Sequence, residues 1–355
     1  NSDQIQGQVY EGVYVKKPSV LKELSKDCII IITTKSYNSV IVELKEKGYK
    51  PGVDFFCSPY ILNMKIHAEF KEIDKKILFT SPDIVTEDIN AGGGLYHMDL
   101  KTKCIEKKIS GKFRDFSIID NKIYVIDEFK GIMIYNMYYE YLENIPGIPN
   151  GRMCGLSFNV EENLAFIVNS ELDSVSVINM ITKEKVRDIF ISKNSEDKRQ
   201  DKHHLNDVCY YKGYIFVSMF SFSGLFKSEV CDGGIVQINY KTGEMLSNVI
   251  TDKWMPHTVK FINNEIVFIE SILGNVYKGN NKIMTQISGF IRGLDFDGKF
   301  WYLGQSEHRY YDRLDRIKNN IQINCGINIF DNASKASRFF NVDNVTNIHS
   351  LKVID

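Results

Sequence analysis

Residues 254–271 read W-M-P-H-T-V-K-F-I-N-N-E-I-V-F-I-E-S, and residues 289–309 read G-F-I-R-G-L-D-F-D-G-K-F-W-Y-L-G-Q-S-E-H-R. Each segment places a polar residue, His257 or Arg292, near the start of a short alternating strand, turns at Asn263-Asn264 or Asp297-Gly298, and ends as a second strand with aromatic residues. Two alternating strands around an N-N or D-G turn are typical of a β-hairpin. The two segments therefore predict two copies of the same unit, the inner hairpin of a propeller blade.

The same pattern recurs along the chain. Further hairpins are predicted over 114–128, 153–171 and 203–221, and the inner strands begin near 114, 154, 204, 257 and 292, which are 35 to 53 residues apart. This spacing is typical of four-stranded blades with variable outer loops. Residues 76–81 lack a preceding inner strand, and residues 346–355 form an inner strand with none after it. Paired, they would close a ring without exposed sheet edges. The sequence thus predicts a mainly β protein, with a six-bladed β-propeller over 76–355 closed by its terminal strands.

The amino-terminal part has a different pattern. Residues 27–34 contain a fully apolar strand of the kind that is buried on both faces of a parallel sheet. A helix capped by Ser36 follows it, and the Pro51-Gly52 turn ends this segment. We expect a small α/β domain over 1–58 and a connecting helix over 59–75, with Pro59 in its first turn.

Composition excludes several classes of function. Hydrophobic residues make up 43% of the chain, charged residues 25%, and the formal net charge is −1. There is no basic field for nucleic acid, and no apolar run is long enough to span a membrane. The seven cysteines are scattered singly, which is typical of a reducing compartment. We therefore expect a cytoplasmic protein that binds neither nucleic acid nor a membrane.

Polar residues are predicted to collect at one end of the propeller channel. In an antiparallel pair, the start of one strand and the end of its partner lie at the same edge, so the inner hairpins deliver these residues to one rim. The rim set is Arg114, Glu128, Glu171, His203, His204, Asn206, His257, Glu270, Arg292, Ser306, Glu307, His308, Arg309 and His349. Such a convergent set is a candidate site.

Three interpretations of this rim stay open. In the first, His204, His257 and His349 hold one divalent transition metal, Zn, Mn or Fe, with a carboxylate completing the shell. In the second, no metal is bound; the histidines act as general acid or base together with Glu270. The substrate would then be bound by Arg114, Asn206, Ser306 and Glu307, with Arg292 and Arg309 binding its anionic group. In the third, the polar residues tie the blades together around a water-filled channel.

The charged segment Glu196–Arg199 predicts a loop before His203 that could close over the rim.

Four motifs at the rim carry a resemblance to a known family. They are His204-Leu205-Asn206, Met255-Pro256-His257-Thr258, residues 289–296 (G-F-I-R-G-L-D-F) and residues 304–309 (G-Q-S-E-H-R). They resemble the H-L-N, M-P-H-S, G-F-x-R-G-L-D-F and G-x-S-x-x-R motifs of a bacterial propeller family, domain of unknown function 4915, over roughly 76–355. The chain departs from the family where Thr258-Val259-Lys260 stands for S-P-R, and it lacks the expected W-R element.

The amino-terminal pattern D-x-I-I-I-x-T is similar to the second half of Rossmann-like domains from bacterial surface-polysaccharide proteins. The Gly-rich nucleotide-binding turn of such domains is missing before residue 27, so the segment is either a relic that packs or the remainder of a larger domain. The resemblances imply a polysaccharide context, with a small-molecule or saccharide ligand and a glycosyltransferase or sulfotransferase as a possible partner. Two functions follow: an enzyme that modifies an anionic or nucleotide-activated saccharide, or a non-catalytic propeller that binds a glycan or a partner.

Overall fold

The computed structural model describes residues 8–10, 13–14, 16, 18–23, 28–34, 36–88, 90–149, 151–191, 201–228, 230, 232–279, 281–311, 317 and 320–354. The chain divides into two compact units, Asn1–Ile73 and Asp74–Asp355.

The first unit contains a β–α–β arrangement. Strands β1 (Val9–Tyr10) and β2 (Val13–Tyr14) form a short antiparallel pair, and β3 (Ile30–Ile32) pairs in parallel with β4 (Phe55–Cys57). Helix α1 (Tyr37–Glu46) connects these two parallel strands, helix α2 (Pro59–Lys71) begins with its proline in the first turn, and a 3-10 helix covers Pro18–Lys22. No described helix is long and apolar enough to cross a membrane. The similarity to a nucleotide-binding domain stays a prediction.

The predicted burial of the apolar strand on both faces is wrong. Ile32 is buried beside Leu44 and Phe55, whereas the side chain of Ile31 is 63% exposed. The physical reason is that β3 pairs with only one strand in the described part of this unit, and α1 covers one face of that pair.

Of the described residues, those from Lys76 to Ile354 form six four-stranded antiparallel sheets, which confirms the six-bladed propeller. Each sheet is given from its innermost strand outward. Blade 1 consists of β28 (Ser350–Ile354), β5 (Lys76–Val85), β6 (Gly92–Asp99) and β7 (Ile105–Ser110). Blade 2 consists of β8 (Phe113–Ile119), β9 (Lys122–Asp127), β10 (Gly131–Asn136) and β11 (Tyr141–Pro146). Blade 3 consists of β12 (Met153–Asn159), β13 (Leu164–Asn169), β14 (Ser174–Asn179) and β15 (Lys185–Phe190).

Blade 4 consists of β16 (Leu205–Tyr211), β17 (Tyr214–Met219), β18 (Gly233–Asn239) and β19 (Glu244–Lys253), with a 3-10 turn at Phe226–Ser228. Blade 5 consists of β20 (Pro256–Ile262), β21 (Glu265–Glu270), β22 (Asn275–Lys278) and β23 (Lys282–Gln286). Blade 6 consists of β24 (Phe290–Phe296), β25 (Trp301–Ser306), β26 (Gly326–Phe330) and β27 (Ser337–Asn341). As predicted, blade 1 takes its inner strand from the carboxyl-terminal end of the propeller.

Local sequence explains the inner turns. Asn263 and Asn264 have φ angles of 53° and 64°, and Asp120 and Asn121 have φ angles of 48° and 57°. Positive φ at both central residues is the geometry of the hairpin turn that Asn and Asp tolerate best.

Apolar clusters fill the space between neighbouring blades. Phe166 and Val217 pack in the cluster shared by blades 3 and 4, and Phe216 and Phe268 pack in the cluster shared by blades 4 and 5. Each such side chain contributes about 1.5–3 kcal/mol on burial. The core of the propeller is therefore divided among its blade junctions and leaves the axis open for polar residues.

Side-chain hydrogen bonds to backbone atoms join each blade to the next. Each contributes about 0.5–1.5 kcal/mol net. They run from Thr80 Oγ1 to Arg114 O (2.5 Å), Leu156 N to Asp115 Oδ2 (2.9 Å), Tyr210 N to Ser157 Oγ (2.8 Å), Val259 N to Asp207 Oδ2 (2.8 Å), Gly293 N to Thr258 Oγ1 (3.1 Å) and Val353 N to Asp295 Oδ2 (2.9 Å). These bonds hold the inner strands at a fixed height around the axis.

Candidate ligand-binding site at the channel axis

Register shifts near the starts of the inner strands turn polar residues toward the axis. An extra residue in one strand of an antiparallel pair re-aims the side chains beside it. The pairing with the second strand of the blade shifts between Phe113 and Phe116, Met153 and Leu156, Leu205 and Asp207, His257 and Lys260, and Arg292 and Leu294.

The residues at these shifts, with their counterpart in blade 1, form what we call the axial ring. Its members are buried and come one from each blade. They are Arg114, Cys154, Asn206, His257, Arg292 and His349. The rings of His257 and His349, from blades 5 and 1, lie with their centroids 6.4 Å apart. The structure thus brings together five residues that the sequence placed at the rim.

A cavity of about 360 Å³ runs along the axis and ends at this ring. Asn206, His257 and His349 line its inner end. Its walls carry hydroxyl, carboxylate and ammonium groups from all six inner strands, and three aromatic rings. They include Ser117, Ser157, Asp115, Asp207, Asp295, Lys260, Lys352, Ser350, Phe261 and Phe296. Its volume lies at the lower end of the ~300–1,000 Å³ typical of small-molecule sites.

Both ring nitrogens of His257 have partners. Nδ1 lies 3.0 Å from the carbonyl oxygen of Met255 and 2.6 Å from Ser271 Oγ, and Nε2 lies 2.9 Å from the amide nitrogen of Asn206. Burial, and then the positive charge of Arg292, hold the pKa of His257 well below its ordinary value. The imidazole is therefore neutral at physiological pH.

Arg292 is a buried guanidinium without a carboxylate partner among the described residues. Its Nη1 donates to Asn347 Oδ1 at 3.0 Å, and its guanidinium lies 4.8 Å from the centre of the Phe290 ring. Burial, more than the neighbouring arginines, lowers the pKa of Arg292 to about 9. Arg292 therefore stays charged at neutral pH.

Arg114 differs from Arg292 because it has an acidic partner. Its Nη2 is paired with Glu128, and Arg152 Nε donates to the same carboxylate oxygen at 2.8 Å. Burial opposes ionisation of Glu128, but the two guanidinium groups outweigh it and lower the pKa of this carboxyl. The single carboxylate of Glu128 is therefore shared by two arginines.

His204 and His203 lie beside the ring rather than in it. His204 Nδ1 is 2.9 Å from Asp201 Oδ1, and its imidazole packs against Phe220 and Phe226. Burial lowers the pKa of His204, although Asp201 opposes this effect. His203 Nδ1 lies 2.8 Å from Ser221 O. The charged segment that predicts a loop over the rim, residues 196–199, lies outside the described residues.

The remaining rim residues have local partners. Glu270 accepts hydrogen bonds from Trp254 N at 2.8 Å and Tyr277 Oη at 2.7 Å. Ser306 Oγ donates to Asn347 Oδ1 at 3.1 Å, and Arg309 Nη2 lies 3.3 Å from Asp83 Oδ1. Glu307 is exposed and lines a separate open groove. The structure therefore places Glu270, Ser306, Glu307 and Arg309 outside the axial ring.

Sequence reasoning missed several residues of the site. Cys154 belongs to the ring, and Asp115 and Asp207 line the cavity one residue after a ring position. The signal was present, because aligning the inner strands on Arg114, Asn206 and Arg292 places Cys154 at the equivalent position of blade 3.

The structure gives the predicted metal no assembled ligand set. Within the described ranges, no group of three or more His, Cys, Asp or Glu side chains is placed to hold a metal ion. His257 has both ring nitrogens in hydrogen bonds, and His204 faces Asp201. The three-histidine metal site stays a prediction.

The fold and the axial ring define a six-bladed β-propeller with a polar site on its axis. The chain belongs to the family described as Domain of unknown function (DUF4915), whose model matches residues 157–355. No curated protein matches the chain. A solved protein of unknown function from Bacteroides caccae is similar in fold, with a TM-score of 0.56 and 14% identity over 79% of this chain and 99% of that chain. A chain of a nidogen/laminin complex has a TM-score of 0.55 and 10% identity over 79% of this chain and 98% of that chain.

Proposed function

We propose that this propeller binds a small anionic saccharide at the inner end of its axial cavity. The observation that carries the proposal is a set of buried polar atoms in the ring without a protein partner among the described residues. These atoms are Arg114 Nε, Arg292 Nε, Asn206 Oδ1 and His349 Nε2. A buried donor or acceptor without a partner costs about 1–3 kcal/mol. Four such atoms from four blades are accounted for by one ligand that pairs with them.

The charge of the ligand follows from the arginines. A buried, unpaired guanidinium is costly unless an anion compensates it. Arg292 has no carboxylate beside it in the described structure, and Arg114 shares Glu128 with Arg152. A carboxylate, sulfate or phosphate group would offer the acceptors that both Nε atoms lack.

The saccharide part of the proposal rests on the cavity walls. Asp115, Asp207 and Lys260 offer acceptors and donors for hydroxyl groups, and Phe261 and Phe296 offer apolar faces for a sugar ring.

The six described cysteines are all free thiols, which supports the proposed cytoplasmic location. A glycosyltransferase or sulfotransferase partner would fit a role in polysaccharide synthesis.

A second candidate is acid–base catalysis on the same ligand, favoured by His349. Its Nε2 has no partner among the residues that the structure describes, and burial, then Arg114 and Arg292, hold its pKa well below the ordinary value. A neutral imidazole beside an anion site can accept a proton. Under this alternative, His349→Gln abolishes turnover of a nucleotide-activated uronic acid and changes its affinity by less than about 10-fold.

Calorimetry and thermal shift test the binding proposal. The probes are sulfate, phosphate, D-glucuronate and UDP-glucuronate, with D-glucose as the neutral comparison. We expect the uronates to raise the melting temperature and glucose to have little effect. In Arg292→Gln the affinity for glucuronate should fall at least about 10-fold, because a charge-assisted hydrogen bond is worth about 1.5–3 kcal/mol.

Arg309→Gln is the matched control, since Arg309 is half exposed and paired with Asp83. It should bind glucuronate like the wild type. Unchanged affinity in Arg292→Gln, or no stabilisation of the wild type by any anion, would contradict the proposal.

A further inference from the structure

The proton on His257 is placed by a backbone carbonyl. The oxygen of Met255 can only accept a hydrogen bond, and it lies 3.0 Å from His257 Nδ1. An unprotonated Nδ1 could accept from Ser271 Oγ, 2.6 Å away, but its lone pair would face the lone pairs of the Met255 oxygen, so the geometry favours a proton on Nδ1. Because the buried imidazole is neutral, Nε2 has a lone pair and can only accept.

This tautomer fixes the orientation of Asn206. The side-chain amide of Asn206 lies 2.9 Å from Nε2, and only its NH₂ group can donate to an acceptor. Nδ2 must therefore face His257, and Oδ1 points away from it. Oδ1 is buried without a hydrogen-bond partner in the described structure, and Asn206, which is 4% exposed, lines the cavity.

We propose that Met255 O, His257 and Asn206 form a relay that fixes an acceptor, Asn206 Oδ1, at the inner end of the cavity. The ligand must then present an O–H or N–H group to Asn206. This inference rests on the proposed function, which supplies the anion site at Arg292. Together with that site, the relay favours an anion that carries hydroxyl groups over an anion without them. His257 is accordingly a positioning residue.

Imidazole NMR of the ligand-free protein tests the relay without any ligand. In protein labelled with ¹⁵N-histidine, the His257 signals should show one bonded proton on Nδ1 and none on Nε2, unchanged between pH 5.5 and 8. In Asn206→Asp the introduced carboxylate faces Nε2, so His257 should take up a second proton and titrate within this range. A wild-type imidazole with its proton on Nε2 would overturn the relay.

A ligand pair tests the selection. D-glucuronate carries hydroxyl donors, whereas tetrahydropyran-2-carboxylate has the same ring and carboxylate without hydroxyl groups. The affinity for glucuronate divided by the affinity for tetrahydropyran-2-carboxylate measures what the hydroxyl groups contribute. This ratio should fall at least about 10-fold in Asn206→Leu, because the variant loses a strong hydrogen bond to a hydroxyl group. An unchanged ratio in Asn206→Leu would overturn the selection.

The two arms separate this inference from the proposed function. If the wild type shows the Nδ1 proton but binds neither carboxylate, the anion proposal fails and the selection fails with it, while the tautomer relay stands. If both carboxylates bind and the proton lies on Nε2, the anion proposal stands and the relay is wrong. Ser271→Ala keeps the bond to Met255 O and should leave the Nδ1 proton in place.

Discussion

At the scale of single residues, removing the charge of Arg292 and removing the charge of Arg114 should change the stability of the propeller in opposite directions. Arg292 has a buried guanidinium that no carboxylate of the described structure compensates, so its desolvation weakens the fold. In Arg292→Met, an apolar side chain of similar length replaces it. We expect the free energy of unfolding in urea, without ligand, to stay the same or rise by about 1–2 kcal/mol.

Arg114→Met is the contrasting variant. It breaks a buried ion pair and leaves Glu128 with Arg152 alone, so the free energy of unfolding should fall by about 3 kcal/mol. If both variants lose stability equally, the charge of Arg292 is compensated in the free protein and the anion argument loses its basis.

Asp207 should make the stability of the propeller depend on pH. Burial, and then the charge of Asp115, raise the pKa of Asp207 to about 7. The folded state holds the proton of Asp207 more tightly than the unfolded state. The contribution of Asp207 to the free energy of unfolding is therefore complete below the pKa of this carboxyl in the unfolded chain, and it is lost as pH rises through 7. Between pH 5 and 7 the free energy of unfolding should fall by up to about 1.4 kcal/mol per pH unit from this group.

Urea unfolding of Asp207→Asn across this pH range measures the effect. The introduced amide keeps an acceptor for Val259 N but cannot titrate, and the pKa of Asp115, raised mainly by burial, loses the influence of a neighbouring carboxylate. The slope against pH should therefore be shallower in the variant. Equal slopes would show that Asp207 is ionised throughout.

At the scale of elements, the hairpins could be predicted because their signals are local. Asn263-Asn264 adopts the expected turn, and the strand starts share one edge, so His257, Arg292 and His349 meet at the axis. The partners of each side chain could not be predicted. Glu270, at a strand end, accepts hydrogen bonds from Trp254 N and Tyr277 Oη. These contacts depend on how the strands of the blade pack against one another.

Gly293 shows why the inner strand of blade 6 needs a glycine beside Arg292. Its φ is 60°, and a Cβ there would lie 3.1 Å from backbone atoms of Ser350 and Leu351 in blade 1. Gly293→Ala should lose about 2–3 kcal/mol, from the left-handed backbone together with crowding at the junction. Thermal unfolding measures the loss.

Gly298→Ala separates the two causes. Gly298 has φ +98°, but a Cβ there meets nothing within 4 Å, so the loss should be only about 1 kcal/mol. Similar losses in the two variants would mean that blades 6 and 1 are not in close contact at Gly293.

At the scale of the whole propeller, stability should depend on closure of the ring by its last strand. β28 pairs with β5 over five residue pairs, from Ser350–Thr80 to Ile354–Lys76, and Val353 N bonds to Asp295 of blade 6. Without residues 346–355, the unit Asp74–Asp355 would expose the edge of β5 and lose His349. We expect the cooperative thermal transition to disappear, a loss comparable with the ~5–15 kcal/mol stability of a domain.

Relocation of the strand distinguishes closure from simple loss of residues. Ile354 and Lys76 are partners in the ladder, so a hairpin loop of about two or three residues can join residue 354 directly to residue 76. A variant that begins with 346–354, continues through this loop and ends at residue 345 contains the same strands in an uninterrupted blade. It should unfold cooperatively, with a melting temperature close to that of the unit Asp74–Asp355, and bind glucuronate through His349 and Arg292. If relocation fails to restore the transition that deletion removes, the stability of the ring depends on the native connection rather than on the pairing of β28 with β5.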